Sequence, residues 1–170
     1  MTGPVLFRNA IAAALLLAPS ALFAAPRSAS AKGSATVLHP LTLVKNQDMD
    51  FGILAVTTSG TAVLDPTTGA ISTTGGVIRL GGTSAAALFT GAASGGSVVN
   101  IKLPTQSVTL TRVGGTQTMA LSNFTLDGPS KRVMAKSSSF QFHVGGTLTV
   151  SAGQVEGSYA GTFSVTAQYQ

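Results

Sequence analysis

The stretch GSYAGTFSVTAQYQ, from Gly157 to Gln170, decides how this chain is read. Tyr159, Gly161, Phe163, Val165, Ala167 and Tyr169 fall on alternate positions, with Ser, Thr and Gln filling much of the other set. A period of two sends successive side chains to opposite faces of a strand. The stretch therefore predicts one β-strand, Tyr159 to Tyr169, with one face buried. Aromatic and β-branched residues are ordinary in strands, so the remaining sequence must say what kind of β-protein this strand closes.

Upstream, short apolar runs alternate with turn signals. Strands are predicted at Ala35 to Val44, Asp50 to Val56, Thr61 to Leu64, Gly76 to Leu80, Ala86 to Thr90, Val98 to Leu103, Ser107 to Val113, Met119 to Leu126, Ser139 to Val144 and Thr147 to Val150. Glycine pairs at Gly75-Gly76, Gly81-Gly82, Gly95-Gly96, Gly114-Gly115 and Gly145-Gly146 predict hairpin turns, because glycine tolerates the positive φ of tight turns. Asp65-Pro66 and Asp127-Gly128-Pro129 supply further turns. Beyond one helical turn at Ala85 to Phe89, no apolar stripe has helical spacing. Many short strands of this kind make an all-β antiparallel sandwich or barrel. A membrane barrel needs aromatic girdles at both interfaces, whereas this chain has no Trp and two Tyr, both in the last strand. A sandwich fits better. In Phe140-Gln141-Phe142-His143-Val144 the apolar side chains share a face and His143 takes the solvent side.

The N-terminus carries Arg8, the apolar run Ala10 to Ala18, a Pro19-Ser20 break and the small residues Ala24 and Ala25. This is the pattern of a secretory signal peptide over residues 1–25, followed by a flexible segment, 26–34, and one β-sandwich domain, 35–170. Exported protein without a single cysteine has no disulfide framework, so stability must come from core and sheet hydrogen bonds. The formal charge is +5, or about +4 without Arg8. Only Lys131, Arg132 and Lys136 cluster, and so scattered an excess predicts a solvated surface with no nucleic-acid partner. No membrane insertion of the mature chain is expected.

Catalysis has little to work with. The two histidines, His39 and His143, have no acid or second histidine at ligand spacing in sequence, and both read as exposed strand residues. Asp48-Met49-Asp50 points two carboxylates the same way on an extended strand, but lacks the further oxygens of a calcium loop and reads as a turn or the start of a strand. No glycine pair is followed by Lys-Ser or Lys-Thr, so none makes a phosphate loop. Asn123-Phe124-Thr125 fits the glycosylation sequon, inside a predicted strand. No enzyme activity, metal or cofactor is expected.

Gly157 and the penultimate Tyr169, with the alternating strand between them, resemble the C-terminal pattern of chaperone-usher pilins. The segment Pro40 to Gly52, PLTLVKNQDMDFG, resembles the stretch ending in (L/M)xFG that opens the domain in secreted pilin-like bacterial families. One of these is catalogued only as a domain of unknown function, and another comprises the spore-coat-U-like subunits of archaic chaperone-usher systems. Leu64 to Gly69, Phe142 to Leu148 and Tyr159 to Phe163 are similar to the first of these. The resemblance implies an immunoglobulin-like antiparallel β-sandwich lacking its final strand, a structural subunit of a surface fimbria. A periplasmic chaperone strand would fill the gap, and after passage to an outer-membrane usher the N-terminal extension of the next subunit would replace it. Head-to-tail contacts of that kind give an open fibre of this chain or related pilin subunits at the surface of a Gram-negative bacterium. The residues implied for the chaperone and groove strand are Gly157, Tyr159, Gly161, Phe163, Val165, Ala167 and Tyr169. The better candidate donor strand is 35–43, with Ala35, Val37, Leu41 and Leu43 on one side, since Pro26 to Ser34 offers little apolar area. Those same residues also read as the domain's own first strand, which would give a self-contained secreted or periplasmic sandwich that binds a ligand such as a surface glycan.

Overall fold

The computed structural model describes residues 27–135 and 139–170, and the expected signal peptide lies outside them. Residues 27–35 are exposed and without regular structure, while Thr36–Gln170 forms a compact unit of its own. That unit is all-β: β1 (Thr42–Gln47), β2 (Ile53–Leu64), β3 (Ile71–Gly81), β4 (Ala87–Ala92), β5 (Val98–Lys102), β6 (Val108–Arg112), β7 (Thr118–Leu126), β8 (Lys131–Val133), β9 (Ser139–Val150), β10 (Tyr159–Ala160) and β11 (Thr166–Tyr169). All pairings are antiparallel. An eight-stranded sheet runs β1-β4-β9-β7-β6-β10 with β2 and β3 attached through β9, and a three-stranded sheet runs β11-β5-β8. Together they make a β-sandwich.

The long strand β9 organises the larger sheet. Along one edge its first half pairs with β4, from Ser139 to Val144, and its second half pairs with β2, from Gly146 to Val150. Its other edge carries β7. The even-numbered residues of β9 all face inward, and Phe142, Val144, Leu148 and Val150 are buried. Phe142 stacks on Phe89 at 5.4 Å and on Phe140 at 6.2 Å; Phe163 meets Phe89 edge-on at 6.3 Å and Phe124 at 5.0 Å. Such pairs add about 0.5–1.5 kcal/mol each beyond area burial. In a domain without disulfides this aromatic chain ties the C-terminal segment to both halves of the larger sheet.

Several boundaries depart from the sequence reading. Gly75-Gly76 and Gly145-Gly146 are not turns but lie inside β3 and β9. A Cβ on Gly145 would strike the Leu64 carbonyl and Pro66, and one on Gly75 would strike the Ser59 carbonyl, so these glycines admit close backbone approach. The stretches expected as separate strands on either side of residues 57–60 form a single β2, with its register shifted between Val56 and Gly60. The last strand, expected as one element, is two. Tyr159–Ala160 pairs with β6 in the larger sheet, Thr166–Tyr169 pairs with β5 in the smaller, and 161–165 cross between them. From Phe163 onward the alternate residues Phe163, Val165, Ala167 and Tyr169 still pack on the core clusters, so the period of two survives the crossing.

Candidate functional site

β11 and β1 lie at one margin of the sandwich, one on each sheet. β11 pairs only with β5, and β1 only with β4, so among the described residues each has an unpaired outer edge. Their inward side chains pack on shared clusters. Leu43 packs with Val165 and Phe163 on the cluster of Ile101 and Phe142, whereas Leu41 packs with Ala167 and Tyr169 on the cluster of Ala93, Val99 and Met134. The two segments therefore run antiparallel to each other, with a row of half-buried apolar side chains between open edges. Unpaired strand edges are templates for another chain.

Tyr169 fastens one end of this margin. Its hydroxyl donates to the His39 carbonyl at 2.8 Å and accepts from the Ser94 backbone N–H at 2.8 Å. The His39 N–H donates in turn to Ser94 Oγ at 2.6 Å. The segment leading into β1 is thus held by the penultimate residue and by the β4–β5 loop.

Of the residues expected in a groove strand, Phe163, Val165, Ala167 and Tyr169 come together at the margin. The other three do not. Tyr159 lies in β10, its hydroxyl donating to the Val155 carbonyl at 2.6 Å, and Gly161 packs so closely on β6 that a Cβ would come within 2.6 Å of the Thr109 carbonyl. Gly157 has φ 142° and passes beside the Arg112 side chain, which donates to the Glu156 carbonyl. The candidate donor residues also divide. Leu41 and Leu43 pack on the domain's own core, Ala35 is exposed, and Val37 is 93% exposed.

The expected solvent-facing histidine has an acidic partner sixteen residues away in sequence. His143 Nδ1 lies 2.9 Å from Asp127 Oδ2, the His143 backbone N–H donates to the same oxygen at 2.9 Å, and Arg132 donates to Asp127 Oδ1 at 2.8 Å. Burial pushes the Asp127 carboxyl up, but the His143 ring and backbone and the Arg132 guanidinium together outweigh it and hold the pKa below its ordinary value. Sequence spacing gave no hint of this, since a turn and strands of both sheets bring the groups together. Asp48 pairs with Lys45 on the surface and Asp50 accepts the Gly52 N–H at 2.8 Å, so this pair is spent on local structure. Among the described residues no group of three or more His, Cys, Asp or Glu is placed to hold a metal, and no helix is long and apolar enough to cross a membrane.

The fold and its margin define a β-sandwich domain whose sheets, among the described residues, both have an open strand edge at one side. The chain belongs to the family described as a domain of unknown function, DUF4402, whose family model matches residues 41–169. No curated protein and no solved structure matches it.

Proposed function

We propose that the chain is a structural subunit of a surface fibre, exported to the periplasm, held there by a chaperone strand and polymerised through an outer-membrane usher by strand donation. The observation that carries this reading is the margin itself. Among the described residues β1 and β11 present unpaired edges on opposite sheets, with Leu41, Leu43, Val165 and Ala167 half-buried between them. A strand inserted antiparallel to β11 would run parallel to β1, satisfy backbone groups on both sides and bury the apolar row, which is the β-augmentation mode of recognition. Val37, almost wholly exposed and just before the anchored His39, is an apolar side chain that such an exchange would bury.

Protein sheared from cells expressing the intact chain with its neighbouring genes tests the reading on denaturing gels, boiled and unboiled. Strand-donated polymers are kinetically trapped, so a ladder that collapses to one band on boiling is expected. A single band in both lanes, with the protein confined to periplasm or medium, overturns it.

A second reading, a self-contained secreted sandwich that binds a surface glycan, is favoured by Leu41 and Leu43 already packing on their own domain and by the Tyr169 bond to His39. A peptide spanning Ala35 to Leu43 separates the two. An incomplete domain gains marked thermal stability from it, and a complete one gains none.

A further inference from the structure

Where β9 exchanges one neighbour for another, the larger sheet has a gap. β4 begins at Ala87, opposite Val144, and β2 ends at Leu64, opposite Gly146, leaving Gly145 at the junction. The gap is a pocket of about 220 Å³ lined in part by Gln47, Thr67, Thr68 and Ser84, with Pro66 and the alanines before β4 as apolar residues and His143 at one side.

The lining selects a chemistry. No Asp, Glu, Lys or Arg lines the pocket, so neither a metal ion nor a strongly charged ligand finds a counter-charge there. Hydroxyls and an amide both donate and accept, which suits a ligand that presents many hydroxyls of its own. The volume is below the roughly 300–1,000 Å³ of pockets for drug-sized molecules and has room for one small ring. The Thr67–Thr68 backbone, Ser84 and His143 are set beforehand. Ser84 donates to the Gly69 carbonyl at 2.8 Å, and the Asp65 carboxylate accepts the backbone N–H groups of Thr67 and Thr68, each at 2.8 Å. His143 is the most firmly oriented. The Asp127 carboxylate can only accept, so the proton sits on Nδ1, and Nε2, on the far side of the ring, is left as an acceptor in the neutral imidazole. Asp127 is itself fixed by Arg132 and by the His143 backbone, so a half-buried network outside the pocket holds the imidazole at its side.

We propose that this pocket binds a single neutral pyranose unit of a glycan, with His143 Nε2 accepting from a sugar hydroxyl and Gln47 bridging a second. The site lies on the outer side of β9, apart from the inward row at the β1–β11 margin, so it does not depend on strand donation. A fibre would display it once per subunit.

Protein-observed NMR on the folded chain at neutral pH, titrated separately with the methyl glycosides of glucose, galactose, mannose and N-acetylglucosamine, tests the assignment. At least one sugar is expected to give saturable shifts at Thr67, Thr68, Ser84 and His143, with millimolar affinity. Gln47→Ala and His143→Gln should each weaken binding about tenfold, the equivalent of about one hydrogen bond, with the rest of the spectrum unchanged. Gln47 is exposed at the end of β1 and its truncation leaves the core alone, so this variant keeps the test valid if His143→Gln perturbs the fold. No saturable shift with any of the sugars, shifts confined to other surfaces, or unchanged affinity in Gln47→Ala overturns the proposal.

Discussion

The hydroxyl of Tyr169 bonds the carbonyl of His39 across 130 residues of sequence, at 2.8 Å, and so fastens the end of the chain to the segment that precedes β1. The same oxygen accepts from the N–H of Ser94, a residue only 7% exposed. Tyr169→Phe keeps the ring in the core and removes both bonds. A buried donor left without a partner costs about 1–3 kcal/mol. The unfolding free energy should fall by that amount, read as a lower urea midpoint with an unchanged slope, and the Ser94 amide should exchange faster. An unchanged midpoint would show that the clamp contributes nothing.

Replacing the ring has a larger consequence. Tyr169→Ser strips the ring from the cluster of Ala93, Val99 and Met134, and loss of the last four residues also removes Ala167 and shortens the pairing of β11 with β5. If a chaperone recognises this strand, both variants should fail to be captured and periplasmic yield should fall sharply on an immunoblot. Accumulation and assembly at the normal level would remove the last strand from the capture step.

Asp127 makes stability depend on acid. Its pKa is lowered in the folded state, although burial alone would raise it, because His143 and Arg132 bond the charged form. A depressed carboxyl contributes stability that is fully present above its unfolded value, about 3.9, and is lost as pH falls through the lower folded value. Asp127→Asn should therefore be less stable than the parent near neutral pH, by about 1–3 kcal/mol for hydrogen bonds to a charged group. The difference should shrink below about pH 4. Thermal melts of both proteins across that range measure it, and a difference independent of pH would exclude the charge as the cause.

Strand content was legible because alternation survives wherever one face is buried. Phe140, Phe142 and Val144 fell where their spacing put them, as did Phe163 to Tyr169. Glycine misled where its use was steric. Gly145 reads as a turn in sequence, yet in β9 its missing side chain makes room for the Leu64 carbonyl. β8 was not foreseen, since Lys131–Val133 is short, charged and strand-like only through its pairing with β5. The division of the final strand could not be read either, because crossing between sheets leaves the period of two intact. Half of the margin was visible in the inward residues of β11. The Asp127, Arg132 and His143 network was invisible because only folding brings a turn and two strands together.

Gly91 tests the aromatic chain. The Phe140 ring lies over its Cα, and a Cβ there would collide with the ring. Phe140 is a side chain and can move, but only by leaving its stack on Phe142. Gly91→Ala should cost about 1–3 kcal/mol as overpacking. In the background of Phe140→Leu the same change should cost clearly less, because the colliding ring is gone. Denaturant unfolding of the four proteins in the cycle gives the coupling. Additive effects would mean that the ring is not what makes glycine necessary.

Asn123 tests why β7 is bulged. Leu121 and Phe124 both pack inward although strict alternation would oppose them, and the register against β9 shifts between Ser122 and Thr125 to allow it. The extra residue puts exposed Asn123 at φ 47°, in the left-handed region that asparagine and glycine enter most readily. Asn123→Gly should therefore change stability by no more than about 0.5 kcal/mol. Asn123→Val should lose about 1–2 kcal/mol, because a β-branched side chain resists that conformation while Phe124 still requires it. Chemical denaturation separates the two variants. If valine is as well tolerated as glycine, the left-handed turn at Asn123 is not what keeps Leu121 and Phe124 together in the core.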